Sequence, residues 1–389
     1  MRPLALLLLA ALCASAAKWA DHAEYDLALA IRAEAVPQKR LPLLDEWKRR
    51  YPASEFQQAR RELYFSAYQS LGDTPRMLDA AGEMLAAQPD NAFGAYWYAL
   101  LLPGSGTAPA SRLALGEKAA GVLLAGAPDA ETQVLAHRAL AWIRWQRSEF
   151  PAAEDELRAC LKIDPARGEL AAWLGTVLAL EKQPEKPVPA LWEFARAVGI
   201  RGAGALPDDR RKSLRADLER LYTSYHGEAA GLEQLLAAAA AAPDPPAGFT
   251  IESAGDIALR KQDEALEREN PRLADWVRMR RQLEGPDGEK FFAGTLRNNP
   301  FARIKGTLMS SDPPDKPTQL VIAVMDQAAP EIVVKLSAEF PNGALSGTPL
   351  EFEGTVDSFT RGPFTLTLLS DPEKISGWPE PPRPAAKKK

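Results

Sequence analysis

The sequence predicts a mainly α protein in which an α-solenoid of helix pairs is followed by a small all-β domain. Two observations predict this order. Four prolines that each end a helical pattern recur at intervals of 37, 39 and 37 residues. After residue 290 the spacing of apolar residues changes from a period near 3.6 to a period of 2. The 389 residues, of which 46% are hydrophobic, are enough for two or three domains with their own cores.

Residues 1–17 predict a secretory signal peptide. Arg2 precedes an apolar run from Leu4 to Leu12, and Ala14-Ser15-Ala16 forms a small-x-small cleavage site. A membrane span needs about 20 apolar residues, so we expect no transmembrane span and a secreted or periplasmic protein. Cys13 raises the alternative of a lipoprotein, but Leu12 stands where bacterial lipidation motifs carry a small residue.

The stretch from Ser148 to Pro165 predicts the second helix of one pair. Phe150, Ala153, Leu157 and Cys160 follow one another at steps that form a single stripe along a helix. The proline at the end stops the helix because its ring cannot join the hydrogen-bond ladder. Most of the charged residues fall on other faces, so the acidic side chains predict a solvated helix rather than a catalytic site.

The order small-x-Phe-x-x-Ala-x-x-x-Leu-x-x-Cys-x-x-Ile-Asp-Pro resembles the second helix of a tetratricopeptide repeat. The preceding helix has Leu140-Ala141 for that family's Leu-Gly pair, and the next unit has Leu174-Gly175. His137 and Arg144 depart from the family's usual aromatic residues. Repeats of this family are about 34 residues long, close to the spacing of the helix-ending prolines. The resemblance implies a tetratricopeptide-like solenoid over residues 18–242, and the four prolines are Pro52, Pro89, Pro128 and Pro165.

In this family the first helix of each pair lines a concave surface. The predicted first helices of this chain carry aromatic residues together with Arg and Gln, which are typical of protein-binding hot spots. Aromatic residues at helical spacing are also typical of a core, and this alternative applies to each of them. Trp142 and Trp145 are three positions apart and form the leading pair for a groove. The candidate protein-binding residues are Tyr68, Tyr96, Arg138, Trp142, Trp145 and Gln146.

Residues 243–290 predict a linker and a charged helix. The stretch "PDPPAGF" ends the preceding helix, and a helical pattern then runs from Ser253 to about Leu283. The basic residues Arg278, Arg280 and Arg281 near its end raise the alternative of a contact with an acidic partner, but they favour a solvated helix terminus, where cations also suit the helix dipole.

Residues 291–370 predict about five strands, which suits a small barrel or sandwich. Leu350, Phe352 and Val356 alternate with polar residues and so share one strand face. The strand order with Gly347 and Gly354 resembles the five-stranded OB-like barrels of exported bacterial proteins. The combination of signal peptide, helical repeats and β-rich end resembles envelope tetratricopeptide proteins. This resemblance implies the domain architecture but does not imply any activity. Residues 371–389 predict a disordered, Pro-rich basic tail.

The sequence offers no constellation for catalysis, cofactor binding or metal binding. The three histidines are far apart, and no metal-ligand spacing or phosphate-binding loop occurs. Cys160 predicts a buried apolar residue rather than a catalytic thiol. Glu351 and Glu353 share a strand face at a separation that glycoside hydrolysis could use, but their alternation with apolar residues implies solvation. We therefore expect a protein that is not an enzyme.

Charge argues against a nucleic-acid partner. The net charge is −5, and residues 291–370 contain six Lys and Arg against eight Asp and Glu. The leading hypothesis is an envelope scaffold that binds a protein or peptide on the concave face of the solenoid. The alternative is a glycan- or peptidoglycan-binding protein, hydrolytic or not, that acts through the β domain. The sequence identifies neither the partner nor the oligomeric state.

Overall fold

The computed structural model describes residues 18–126, 128–325 and 329–381. The predicted signal peptide (1–17) and residues 382–389 of the predicted tail lie outside the described residues. The chain divides into two compact units, one ending at Ala254 and the other beginning at Gly255.

Within the described residues, the first unit contains twelve α-helices joined by short connections. Each helix packs mainly against its neighbours in the chain, as α7 does against α8 and α9 does against α10. This arrangement confirms the predicted α-solenoid of helix pairs. In chain order the helices are α1 (His22–Ala33), α2 (Pro37–Arg50), α3 (Gln57–Leu71), α4 (Thr74–Ala87), α5 (Ala92–Leu101), α6 (Ala110–Ala125), α7 (Ala130–Gln146), α8 (Phe150–Ile163), α9 (Gly168–Glu181), α10 (Pro187–Gly199), α11 (Asp208–His226) and α12 (Leu232–Ala241).

The recurring prolines end the second helix of successive pairs. Helices α2, α4, α6 and α8 stop two or three residues before Pro52, Pro89, Pro128 and Pro165. At two of these boundaries the same short stretch also starts the next helix. The side chain of Asn91 accepts a hydrogen bond from the backbone N–H of Gly94 at 2.7 Å, and Asp129 caps α7 through Thr132 at 2.8 Å.

The predicted second helix around Cys160 is α8. Cys160 is completely buried, as predicted, and its environment raises the pKa of its thiol to about 12, chiefly because burial disfavours the thiolate. In the next pair, Gly175 packs against the ring of Phe194, so that the Leu-Gly pair of α9 lets α10 approach closely. Helices α7 to α12 share one apolar core in this way.

In the second unit, the predicted charged helix is two helices. Helix α13 (Ala254–Glu269) ends at Asn270, whose side chain accepts a hydrogen bond from the backbone N–H of Leu273 at 3.2 Å and so caps α14 (Pro271–Glu284). Pro271 occupies the first position of α14, where the missing N–H costs nothing. Charged residues occur in both helices, so charge alone did not indicate the break that Asn270 and Pro271 make.

The strands of the second unit form a closed five-stranded barrel. The order is β1-β2-β3-β5-β4, and β4 pairs back with β1. Strands β3 and β5 run parallel and the other pairs are antiparallel, which is consistent with an OB-like fold. The strands are β1 (Pro300–Asp312), β2 (Gln319–Ala323), β3 (Ile332–Leu336), β4 (Pro349–Arg361) and β5 (Phe364–Ser370).

Helix α14 and the chain after β5 complete the barrel. Trp276 of α14 is buried, and its ring lies 5.9 Å from that of Phe301 and 6.0 Å from that of Phe364. The predicted disordered tail begins as ordered chain, because β6 (Ile375–Ser376) pairs with β4 and the Trp378 ring stacks on Phe340 at 4.2 Å. Ile375 and Trp378 are apolar residues that pack against the barrel, and the Pro-rich composition around them does not indicate these contacts.

Candidate functional site

A groove in the first unit is bounded by the first helices of three consecutive pairs. We call it the first-helix groove. It has a volume of 640 Å³ and lies between α5, α7, α9 and the segment 203–207 that precedes α11. Its lining residues are Tyr96, Leu100, Glu131, Val134, Leu135, Arg138, Arg167, Glu169, Leu170, Ala203, Gly204, Ala205, Leu206, Pro207 and Arg210.

Two glycines allow the segment 203–207 to form one wall of the groove. A Cβ atom on Gly204 would lie 1.7 Å from the carbonyl oxygen of Ala166, and one on Gly168 would lie 3.2 Å from the carbonyl oxygen of Gly204. The backbone therefore approaches the start of α9 more closely than any residue with a side chain permits. This contact places the segment beside α9 and forms the wall.

The groove combines an apolar lining with charged residues. Three arginines and two glutamates lie around Leu100, Leu135 and Leu170. The Arg167 side chain is engaged, because its Nε donates a hydrogen bond to Asp164 at 2.6 Å, and this arginine holds the pKa of the Asp164 carboxyl below its usual range. An apolar surface with a few placed polar groups is the usual composition of a binding site.

Arg138 is the most confined charge of the groove. Its side chain is 21% exposed, and its guanidinium lies over the ring of Trp173 at 5.3 Å. The nearest carboxylate oxygen belongs to Glu169 and lies 3.7 Å from Nη2, which makes an ion pair but is too long for a hydrogen bond. The Nε of Arg138 is fully buried and has no acceptor among the described residues.

The structure brings two of the six predicted binding residues together in the first-helix groove, Tyr96 and Arg138. Tyr68 lies elsewhere, in a cavity of 300 Å³ between α2, α3 and α4, where its ring stacks on Tyr64 and lies beneath the guanidinium of Arg76. Gln146 is exposed at the end of α7 and does not line the groove.

Neither Trp142 nor Trp145, the leading pair predicted from the sequence, lines the first-helix groove. Trp142 is 5% exposed and lies in the core formed by α3 to α7. Trp145 is half-buried, and its ring meets that of Trp173 edge-on at 5.9 Å. Their spacing in the sequence placed both tryptophans on one helix, α7, but it could not show which of them is buried in the core and which is partly exposed. The groove residues Arg167 and Arg210 were missed, because the connections that position them carry no periodic pattern.

Exposed apolar side chains accompany the first helices beyond this groove. Tyr25 and Leu29 of α1 are 41% and 44% exposed and line a small cavity of 50 Å³ with Leu63 of α3. Phe93 of α5, which does not line the groove, is also exposed. Such side chains are frequent in protein-binding surfaces.

A buried ion pair supports the turn that leads into the groove. Glu193 and Arg196 of α10 are 6% and 5% exposed, and Arg196 Nη1 lies 3.0 Å from the Glu193 carboxylate. Arg196 also donates to the carbonyl oxygens of Pro165 and Pro243, each at 3.1 Å. Burial raises the pKa of Glu193 to about 7 in spite of the neighbouring cation.

The two carboxylates considered for glycoside hydrolysis are engaged in surface ion pairs. Glu353 accepts a hydrogen bond from Arg303 at 3.0 Å, and Glu351 lies 3.4 Å from Lys305. Their side chains are 43% (Glu351) and 38% (Glu353) exposed and neutralised by these cations, so the structure does not favour the hydrolytic alternative. Among the described residues, no three His, Cys, Asp or Glu side chains are grouped to hold a metal ion. None of the helices in this part of the chain combines the length and apolar composition that a membrane span needs.

The described residues thus define a helical-repeat protein with a C-terminal β-barrel. No protein-family model matches the chain, and no curated protein matches it. Two solved structures show similarity over the larger part of their own chains. One is titled "MamA RS-1 ArsTM double mutant" (16% identity, TM-score 0.33, 46% of this chain and 93% of that chain). The other is a thermophilic TPR protein of Thermus thermophilus (14% identity, TM-score 0.29, 51% of this chain and 97% of that chain).

Proposed function

We propose that this protein is a non-enzymatic scaffold of the cell envelope that binds a protein or peptide along the face of its first helices. The observation that carries the proposal is the 640 Å³ groove, which three consecutive first helices and the segment 203–207 bound with apolar and charged residues. A groove between helices can accept a peptide through apolar anchors, while charged groups set its orientation.

The exposed apolar residues of α1 and α5 extend the same kind of surface along the first helices. The barrel gives the alternative less support, because the carboxylates proposed for it are exposed and ion-paired. The envelope location rests on the sequence pattern of residues 1–17. Mass spectrometry of the protein from a periplasmic extract tests it, with an N-terminus near Lys18 as the expected result and an intact Met1 in the cytoplasmic fraction as the contrary one.

Selection of linear peptides from a random displayed library against the full chain tests the binding function. Ala203 is exposed and lines the groove, so the A203W variant should fill the groove without disturbing the core. Ala179 is an exposed alanine of α9 outside the groove, which makes A179W the matched control. Selected peptides should lose affinity for A203W and keep it for A179W. A selection that yields no binders, or binders unaffected by A203W, would overturn the proposal.

A further inference from the structure

The segment before α1 is fixed to the fold by several contacts. The ring of Trp19 stacks on that of Phe56, the residue before α3, at a centroid distance of 3.8 Å. The backbone N–H of Ala20 donates a hydrogen bond to the Glu24 carboxylate at 2.7 Å, and Asp21 caps α1 by accepting one from the N–H of Glu24 at 2.8 Å. The backbone of the residue that precedes this segment therefore has a defined position.

Glu24 makes this segment part of the core. The residue is completely buried and also accepts a hydrogen bond from the indole N–H of Trp47 at 2.8 Å. Burial alone would raise the pKa of the Glu24 carboxyl, but hydrogen bonds from Ser54, Ala20 and Trp47 hold this pKa below its ordinary value. The carboxylate depends on the N–H of Ala20, because a buried charge without its hydrogen-bond donors is costly.

This arrangement brings the backbone nitrogen of Lys18 to Glu55. The distance from that nitrogen to Oε2 of Glu55 is 2.8 Å. Glu55 is exposed, and no Lys, Arg or His side chain of the described residues forms an ion pair with it. The fold therefore presents the Glu55 carboxylate to the main chain at the predicted end of the signal peptide.

The charge of the Lys18 nitrogen depends on whether the preceding peptide bond is intact. In the uncut chain this nitrogen is a neutral amide with one N–H. Hydrolysis of the bond between Ala17 and Lys18 consumes one water molecule. The water oxygen joins the carbonyl carbon of Ala17 as part of a carboxylate, and its two protons convert the Lys18 amide nitrogen to an ammonium. An ammonium has three donors and a positive charge, so it attracts the Glu55 carboxylate more strongly than the amide does.

We propose that Glu55 is the binding site for the α-ammonium of Lys18, which an endopeptidase of the envelope creates by hydrolysing the bond between Ala17 and Lys18. Processing then completes an ion pair between the start of the mature chain and the residue that lies just before α3. This inference rests on the envelope location in the proposed function. It goes beyond that location because it names the bond that is cut and the side chain that receives the new terminus.

The sequence contains two small-x-small pairs that suit this cleavage. Ala14 and Ala16 form the first pair. Ser15 and Ala17 form the second, one residue later. A cut after the first pair would leave Ala17 on the mature chain and move the ammonium one residue, or about 3.8 Å along the backbone, away from the nitrogen that contacts Glu55. Only a cut after the second pair produces the ammonium at the atom that lies beside the Glu55 carboxylate.

The intact mass of the full-length protein from a periplasmic extract identifies the bond that is cut, because the two products differ by one alanine. We expect Lys18 as the first residue. A chain that begins at Ala17 would overturn the inference and keep the envelope location. A chain that keeps Met1 and stays in the cytoplasm would remove the envelope location as well.

The role of Glu55 is tested on the mature protein that begins at Lys18, released from a fusion by a protease that leaves no extra residue. An activated ester acylates the α-amine at pH 7, and mass spectrometry measures the rate. A free α-amine has a pKa of about 8, and an ion pair with Glu55 keeps more of this amine protonated and unreactive. E55Q should therefore raise the acylation rate about threefold.

Two controls accompany this measurement. Glu185 is exposed on the connection between α9 and α10, and E185Q should leave the rate unchanged. In a protein that begins at Ala17, E55Q should have little effect, because the ammonium no longer lies at the atom beside Glu55. Equal rates for the parent and E55Q would overturn the inference, as would an equal effect of E55Q in the two proteins. Neither result bears on peptide binding in the first-helix groove, which A203W tests separately.

Discussion

Gly175 lies against the ring of Phe194 so closely that a Cβ atom at this position would be 2.8 Å from the Phe194 ring. The two residues belong to α9 and α10, the helices of one pair. The contact explains in physical terms why a glycine follows Leu174 in the repeat pattern. The helix gives up some intrinsic stability at this glycine and gains a close approach to its partner helix.

The first prediction tests this contact. G175A should lower the free energy of unfolding by about 1–3 kcal/mol, because the new methyl group overpacks the Phe194 ring. Gly121 offers the matched control, since it lies inside α6 with no atom within 4 Å of an added Cβ. G121A should instead raise stability by up to about 1 kcal/mol through helix propensity. Urea denaturation measures both, and equal effects of the two substitutions would contradict the packing argument.

The second prediction separates the core tryptophan from the groove tyrosine. W142A should cost about 3–5 kcal/mol of unfolding free energy, because Trp142 is 5% exposed and its removal leaves a cavity. Y96A should change stability by less than about 1 kcal/mol and should weaken binding of the selected peptides. Thermal unfolding and anisotropy distinguish the two effects. A stable W142A variant with weakened binding would return Trp142 to the binding surface.

The third prediction concerns pH. In the folded protein the pKa of Glu193 is raised to about 7 from its ordinary value of 4.5. The Glu193 carboxyl therefore loses its proton at a lower pH in the unfolded chain than in the folded protein. Unfolding therefore releases a proton between these values, and stability falls as the pH rises through this range. The stability contributed by the protonated group is complete below about pH 4.5 and is lost above about pH 7. The difference amounts to about 3 kcal/mol.

The E193Q variant checks this contribution, because glutamine keeps a polar side chain beside Arg196 but does not titrate in this range. Its stability should be nearly independent of pH between the two pKa values, apart from contributions common to both proteins. The exposed Glu185 serves as the control, and E185Q should keep the pH dependence of the parent. Parallel pH profiles for the parent and E193Q in urea denaturation would refute the assignment.

The fourth prediction concerns the ion pair between α14 and the barrel. Glu331 is 1% exposed, and its carboxylate accepts hydrogen bonds from Arg280 and from the backbone N–H groups of Val324 and Met325. R280Q should lower the stability of the second unit by about 3 kcal/mol, because it removes the charged hydrogen bond that Arg280 donates to a buried carboxylate. R278Q should cost less than about 1 kcal/mol, since Arg278 is 44% exposed. Hydrogen–deuterium exchange of peptides from the second unit at increasing urea concentrations checks both, and equal losses would contradict the difference in burial.

Features that depend on local spacing are the ones that could be predicted best from the sequence. The helix ends at Pro89 and Pro165, the stripe around Cys160 and the alternation in β4 all depend on residues close together in the chain. Arg280 shows the limit of that reasoning. A solvated helix end was predicted for it, whereas it pairs with Glu331, 51 residues further on. The first-helix groove was only partly predicted for the same reason, since its lining residues, Arg138 and Arg210 among them, lie on helices that are far apart in the chain.

The boundaries between helix pairs have an evolutionary consequence. At Pro89 and Pro128 the signal that stops one helix and the side chain that caps the next lie within three residues of each other. A segment cut at two such points carries its own start and its own stop. Duplication or loss of one whole segment would therefore leave the helix ends of its neighbours intact and change the length of the first-helix surface by one step. The length of the first-helix surface can thus change through the number of repeated segments, without point substitutions in the existing ones.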